Sequence, residues 1–260
     1  MNHGPLPPPA APHPHASRAL AAEVAVALTY NGSTEAVLMA TPADLEDFAY
    51  GFSLTEGLAR PEEIERVEIV PTELGIDVQL WVDEAVAARL AARRRRRVGP
   101  VGCGLCGIET LAEAMRALPP LPPAAGPMLT RAEVLAAIES LSADHQPLKA
   151  ATGATHAAGF WTPAEGLVAL REDVGRHNAL DKLAGALRGR EVSGGAVVLT
   201  SRVSLDLVQK CVTLGAPVLL AVSAPTSAGA AAAAGAGLTL AAPVRGARFD
   251  ILATPDRIGS

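Results

Sequence analysis

The second half of the chain alternates strand-like and helix-like segments: GAVVLTS, SLDLVQKCVTL, APVLLAVS, an Ala-rich stretch and GLTLAA follow one another between Gly195 and Ala242. A helix between two strands returns the chain across one face of the sheet, so strands joined this way run parallel. In open sheets of this kind, ligands gather beyond the carboxyl ends of the strands, beside the N-termini of the helices that follow. Those ends are polar here. The strand around Val168 runs into Glu172-Asp173-Val174-Gly175-Arg176-His177-Asn178, the next into Thr200-Ser201-Arg202, and the third into Ser223-Ala224-Pro225-Thr226-Ser227. Hydroxyls, helix N–H groups and arginines are expected to converge there in one crevice, although Asn178, Ser204 and Thr226 also suit the plain role of helix caps.

The first half has a different pattern. VAVALTY and STEAVLMA flank Asn31-Gly32, a pair that accepts positive φ at both corners of a type I′ turn, which predicts a hairpin. Thr41-Pro42-Ala43-Asp44 supplies a cap, a first-turn proline and an acid ahead of Leu45, Phe48, Ala49 and Phe52 at helical spacing, which predicts a helix to about Leu58. VEIVP and GIDVQLWVD make a second strand pair, in which Ile76, Val78, Leu80 and Val82 alternate with more polar residues. Helix formers from Asp83 onward end in Arg93 to Arg97, cations suited to the negative end of a helix dipole.

The Pro-rich LPPLPPAAGP from Leu118 to Pro127 cannot continue a helix, because proline lacks the N–H and clashes with the preceding turn. Placing a boundary there divides the chain into a leader (1–19), an N-terminal α+β part (20–127) and a C-terminal α/β part (128–260). In the last of these, Thr130 and Glu133 form a capping box ahead of Val134, Leu135, Ile138 and Leu141. HAAGFW and GLVALRE make a hairpin around Thr162-Pro163-Ala164-Glu165, and a helix is expected from Asn178 to Leu187.

Composition excludes several classes. No run approaches the roughly 18 apolar residues of a membrane span. The start, MNHGPLPPPAAPHPHAS, lacks a basic region followed by an apolar one, so it is expected to be a disordered leader rather than a secretory signal, with the cytoplasm as the compartment. Cys 3 is too few for a disulfide scaffold, and a formal charge of -5 gives no general attraction for nucleic acid.

The sharpest local signal is Gly102-Cys103-Gly104-Leu105-Cys106-Gly107, two thiols among glycines ahead of Ile108, Leu111, Met115 and Leu118 at roughly helical spacing. A helix N-terminus favours thiolate over thiol, and the glycines let a partner approach the backbone. Three chemistries suit such a pair: a zinc site, a thioredoxin-like disulfide, and a sulfur relay that carries a persulfide. A structural zinc wants four ligands, whereas a second CxxC is absent and His145, His156 and His177 are scattered along the chain. A thioredoxin-like site should follow a strand, whereas this one follows Arg93 to Arg97. That run is either a solvated helix end or a positive field that holds a thiolate and steers an acidic partner or a phosphorylated cofactor. His156, in Thr152-Gly153-Ala154-Thr155-His156, is an acid/base candidate or an ordinary hydrogen-bonded residue. Cys211, on an apolar helix face, is expected in the core.

Several motifs, in order along nearly the whole chain, resemble the FdhD family, accessory sulfurtransferases for formate dehydrogenase. They are NG followed by TPADLEDFAYGFSLTEGL, then GCGLCG, TGATHAAGF, REDVGRHNALDK, LTSRVSLDLVQK, SAPTS, and the closing GLTL and VRGARFDIL. The resemblance implies a cytidine-deaminase-like C-terminal fold without the deaminase zinc, and a chain that passes sulfur from a cysteine desulfurase to the molybdenum cofactor. It implies Cys103 and Cys106 as the sulfur-handling residues. For bis(molybdopterin guanine dinucleotide) it implies a region that includes Pro243, Val244, Arg245, Gly246, Ala247 and Arg248, together with Thr226. Arg245 and Arg248 flank a glycine after a strand, so their guanidinium forks are placed to grip phosphate oxygens or else merely occupy a surface turn. Where the family commonly has an aromatic residue in the closing motif this chain has Ala242-Pro243, and the residue before the first cysteine, often Ser, is Gly102.

The expectation is therefore an α/β protein with a mixed sheet in a cytidine-deaminase-like C-terminal domain and a smaller α+β N-terminal part, acting as a sulfurtransferase without a structural metal. Expected partners are a cysteine desulfurase, formate dehydrogenase and a guanine-nucleotide-containing cofactor, with homodimerisation left open and neither nucleic acid nor membrane involved. The alternative is a non-catalytic chaperone that binds the molybdenum cofactor or the apo-dehydrogenase, and a redox reductase is the third reading.

Overall fold

The computed structural model describes residues 18–96, 118–126 and 128–259. The first sheet contains β1 (Val24–Tyr30), β2 (Ser33–Ala40), β3 (Ile64–Thr72) and β4 (Gly75–Val82), in the order β2-β1-β4-β3. The predicted hairpin and the second strand pair, itself antiparallel, both form, and Asn31 and Gly32 take φ 45 and φ 80 at the first turn. The hairpins merge because β1 and β4 pair in parallel, with Val26 opposite Ile76 and Tyr30 opposite Leu80. Alternate residues of the two central strands (Val26, Leu28, Val78 and Leu80) are buried in one core with Phe48, Phe52, Val86 and Leu90 of α1 (Leu45–Thr55) and α2 (Glu84–Arg96).

The predicted cap at Thr41 is not realised: α1 begins at Leu45 after Asp44, which has φ 52, and ends at Thr55 rather than near Leu58. Thr41 is engaged elsewhere. Its N–H donates to Asp173 Oδ2 (2.9 Å), its hydroxyl oxygen accepts from Val174 N (3.1 Å) and its carbonyl accepts from Lys182 Nζ (2.8 Å).

The second sheet has the order β10-β9-β8-β7-β5-β6 and comprises β5 (His156–Thr162), β6 (Gly166–Asp173), β7 (Ala196–Leu199), β8 (Val218–Ala221), β9 (Thr239–Ala241) and β10 (Ile251–Ala253). The parallel pairing predicted from the strand–helix alternation holds for β7, β8 and β9. It does not extend to the whole sheet: β5 is antiparallel to both β6 and β7, and β10 is antiparallel to β9. The short turn at residues 163–165 leaves no length for a crossover, so β5 and β6 close as a hairpin.

Helices cover both faces. Val197, Leu199, Leu219 and Leu240 pack with α5 (Arg176–Ala186), α6 (Leu205–Leu214) and α7 (Ser227–Ala236), while Val198, Val218 and Leu220 pack with Val134 and Ala137 of α3 (Arg131–Glu139). Burial on both sides explains why these strands are continuous apolar runs rather than alternating ones. The short α4 (Pro147–Thr152) precedes β5. The Thr130 capping box forms as predicted, Glu133 N donating to Thr130 Oγ1 (3.2 Å) and Thr130 N to Glu133 Oε2 (2.7 Å). The Pro-rich stretch joins this second core: Leu121 packs there, its N–H donates to Ala236 O (2.9 Å), and Arg257 Nη2 donates to Pro122 O (2.5 Å).

Helix α1 lies across α5, and the approach is very close. A Cβ on Gly51 would sit 1.6 Å from Asp181 O, and one on Gly185 would sit 1.9 Å from Asp47 O. Two buried lysines flank the crossing. Lys182 Nζ lies 2.6 Å from Asp173 Oδ2 with both side chains at 0% exposure, and Lys210 Nζ reaches Asp181 Oδ1 (2.8 Å), Glu56 Oε1 (2.6 Å) and Thr55 Oγ1 (3.0 Å). Burial pushes Lys182 below the usual lysine range, an effect its contact with Asp173 offsets only in part. Burial also pushes Lys210 down, but Asp181 and Glu56 outweigh it and hold the ammonium above that range. At the rim, Arg171 and Arg188 both pair with Asp47, at 2.7 Å each.

Candidate functional site

Because β5 is antiparallel to both β6 and β7, the strands β6, β7, β8 and β9 run the same way and end on one edge of the second sheet. The predicted convergence of polar strand ends is therefore realised, but several of those residues have structural duties. Glu172 accepts from Leu148 N (2.9 Å), Lys149 N (2.8 Å) and Thr155 Oγ1 (2.9 Å), tying the start of α4 to the sheet. Asp173, besides Thr41 and Lys182, accepts from Gly175 N (2.8 Å) and Asn178 Nδ2 (3.0 Å). Asn178 is not the predicted cap: α5 starts at Arg176 after Gly175, and the Asn178 amide donates to Met39 O (2.9 Å) across to the first sheet. Asp181, Lys182 and Lys210, all within the REDVGRHNALDK and LTSRVSLDLVQK motifs, belong to the α1–α5 junction.

What remains at this edge is a group of side chains that sequence spacing does not bring together. His156 opens β5 opposite Asp173, the last residue of β6, while Arg176 and His177 open α5. His177 Nε2 lies against Asp206 Oδ2 from the first turn of α6. Burial pushes the Asp206 carboxyl up, but hydrogen bonding to His177 and Ser204, together with the charge of His177, outweighs it and holds the group well below the usual carboxylate range. Burial pushes the half-buried His156 imidazole below its ordinary value, and the charges of Arg176, Lys149 and His177 push it further. Arg176 Nε is buried with no hydrogen-bond partner among the described residues. His156 and His177, scattered in sequence, are thus neighbours, whereas His145 caps the chain after α3, its Nδ1 lying 2.9 Å from Ser140 O.

The ends of β8 and β9 carry the region implied for the cofactor. Thr226 is exposed and accepts from Gly229 N (3.1 Å), so its hydroxyl caps α7. Ala242-Pro243, joined by a cis peptide bond, leads to the buried Val244, whose N–H donates to Ala221 O (2.8 Å). Arg245, Gly246, Ala247 and Arg248 then form an exposed turn closed by Arg245 N to Arg248 O (2.9 Å), with Gly246 at φ 54. Arg245 Nε approaches Val222 O at 3.5 Å, and Arg248 has no ion pair among the described residues. Both guanidinium groups are therefore available to an oxyanion beside the end of β8.

Cys103 and Cys106 lie outside the described residues, as does the helix expected after them. Cys211 is fully buried in the helix-facing core, and burial pushes its thiol up to about 12. The arginine run is not simply a solvated helix end: Arg93 Nη1 donates to Glu56 O (3.0 Å), and Arg94 pairs with Glu35, whose side chain is 1% exposed. Among the described residues, no three His, Cys, Asp or Glu side chains are grouped to hold a metal ion, and no helix is long and apolar enough to cross a membrane.

The sequence model of the FdhD/NarQ family matches residues 21–259. The "Sulfur carrier protein FdhD" of Agrobacterium fabrum is 51% identical over 244 residues, covering 93% of this chain and 89% of that protein. The protein of the same name from Brucella abortus is 53% identical over 245 residues, covering 93% of this chain and 90% of its own length. Among solved structures, one described as "a putative formate dehydrogenase accessory protein from Desulfotalea psychrophila" aligns with a TM-score of 0.71 at 30% identity, covering 93% of this chain and 91% of that one.

Proposed function

The chain belongs to the FdhD/NarQ family, and from that premise we propose that it is a sulfur carrier that serves formate dehydrogenase by passing sulfur from a cysteine desulfurase to the molybdenum cofactor. The observation that carries this reading is identity of 51% and 53% to proteins named sulfur carriers over 93% of the chain, in a sequence that holds the glycine-flanked pair Cys103 and Cys106. In the proposed chemistry the Cys103 thiolate attacks the outer sulfur of the desulfurase persulfide. The S–S bond of that persulfide breaks, the desulfurase thiolate leaves with the electron pair, and a new S–S bond forms on Cys103. Once the acceptor is in place, attack of Cys106 on the Cys103 sulfur releases the outer sulfur as hydrosulfide and leaves a disulfide, the two thiols giving up the two electrons that the sulfur takes.

The same proposal places the phosphates of bis(molybdopterin guanine dinucleotide) at the carboxyl edge of the second sheet. The residues fit such a group: Arg245 and Arg248 are exposed on one turn, and Val244 anchors that turn through its bond to Ala221. When bound, the cofactor supplies the metal that receives the sulfur. Pro243, Gly246, Ala247 and Thr226 shape the surroundings, with the Thr226 hydroxyl committed to α7. A cytidine-deaminase-like fold for this part belongs to the proposal too, supported by a hairpin, β5–β6, that leads into three parallel strands.

Formate dehydrogenase activity in cells that lack this chain tests the reading. Restoring the chain should restore activity, whereas Cys103→Ala and Cys106→Ala should not. Full activity with both substitutions would favour a chaperone that only delivers cofactor or enzyme.

A further inference from the structure

The carboxyl edge of the second sheet holds positive charge that its own acids do not balance. Glu172 is engaged by the backbone of Leu148 and Lys149 and by Thr155, Asp173 by Lys182, Thr41, Gly175 and Asn178, and Asp206 by His177. Arg176, at the first position of α5, therefore has no ion pair among the described residues, and its Nε is buried without a partner. From β5, His156 experiences Arg176 and His177 of α5 and Lys149 of α4 as positive neighbours. Like charges gathered around a half-buried imidazole are unfavourable alone and become favourable once an anion enters, because each then gains a charge-assisted hydrogen bond or a Coulombic partner.

We propose that His156, Arg176 and His177 form a phosphate-binding subsite at this edge, separate from the Arg245–Arg248 turn. The idea rests on the reading that a phosphorylated cofactor occupies the carboxyl ends of the strands. In the order β8-β7-β5, the Arg245 guanidinium beside the end of β8 and His156 at the start of β5 lie two strands apart, about 10 Å at the usual spacing, so the subsite takes a different phosphate oxygen group from the one at the turn. A bound dianion stabilises the imidazolium of His156, so binding takes up a proton wherever the free imidazole is neutral. Affinity consequently falls as pH rises through the histidine range.

Calorimetry with inorganic pyrophosphate and, separately, GDP tests this at about pH 6 and about pH 8, in two buffers of different ionisation heat. The proposal expects pyrophosphate to bind with uptake of about one proton and roughly tenfold more tightly at the lower pH. His156→Gln should abolish the pH dependence, Arg176→Gln should weaken binding about tenfold or more, and Arg248→Ala should leave the pyrophosphate pH dependence in place. In the unsubstituted chain, where folding is not at issue, the His156 ring proton followed by NMR should titrate at higher pH once pyrophosphate is added. Absence of pyrophosphate binding, binding without proton uptake, or a His156 titration indifferent to pyrophosphate overturns the subsite. Pyrophosphate binding with this signature but no GDP binding keeps the subsite and removes the nucleotide cofactor reading. GDP binding that depends on Arg248 alone, with no proton uptake, does the reverse.

Discussion

Lys182 shows how far a single residue's role depends on what surrounds it. In sequence it is one cation in GRHNALDK, indistinguishable from a solvated lysine, yet it is wholly buried between Asp173 and the Thr41 carbonyl. Removing one partner of a buried pair leaves an uncompensated charge, so Lys182→Ala should cost about 3–5 kcal/mol in urea unfolding. Arg190→Ala, which breaks an exposed pair with Glu165, should change stability by less than about 1 kcal/mol in the same assay. Cys211, by contrast, was legible, because an apolar helix face needs no partner to explain it. The meeting of His156 and His177 was not, since β5 and α5 come together only in the folded core, where Ala158 and Phe160 pack with Leu180 and Leu183. The polarity of the strand ends was visible in the sequence; which of those residues are already engaged was not.

Elements specified by neighbouring residues were the most legible: the Asn31-Gly32 hairpin, the Thr130 capping box and the β5–β6 turn all follow local chemistry. The parallel β1–β4 pairing and the α1–α5 crossing join distant segments, and no local pattern encodes them. Gly51 and Gly185 were the available signal, because glycine inside a helical run weakens the helix and invites a packing explanation. Gly51→Ala and Gly185→Ala would drive a Cβ into backbone, and each should destabilise the protein by about 3 kcal/mol or more in chemical denaturation. Gly235→Ala, in α7 with nothing within 4 Å, should instead stabilise by about 0.5–1 kcal/mol. The turn at Pro61–Glu63 adds a pH signature. The Arg60 N–H and the Arg89 guanidinium hold the Glu63 carboxyl down at about 2 instead of 4.5. A carboxyl lowered by folding contributes stability above about 4.5 that is lost as pH falls through about 2. Carboxyl NMR should find Glu63 titrating near the lower value, and Arg89→Ala should move it part of the way back while the Arg60 bond remains.

At the scale of the whole molecule, two sheets are held together by a glycine-mediated helix crossing and two buried lysine clusters, and the second sheet gathers His156, Arg176 and His177 at one edge. The α/β class and the mixed sheet were legible because strand–helix alternation and the β5–β6 hairpin are both local patterns repeated along the chain. The order in which the strands assemble was not, because it depends on which faces bury together. Sulfur carried by Cys103 or Cys106 is the centre of the proposed function, with Cys211 too buried and too weakly acidic to compete. The most direct test is mass spectrometry of the protein after incubation with a cysteine desulfurase and free cysteine. One added sulfur atom is expected on the peptide that spans Gly102 to Gly107, removed by a thiol reductant and lost when Cys103 and Cys106 are both replaced by alanine. A chain that leaves the incubation without that sulfur, or carries it on Cys211, is not a sulfur carrier working through Cys103 and Cys106.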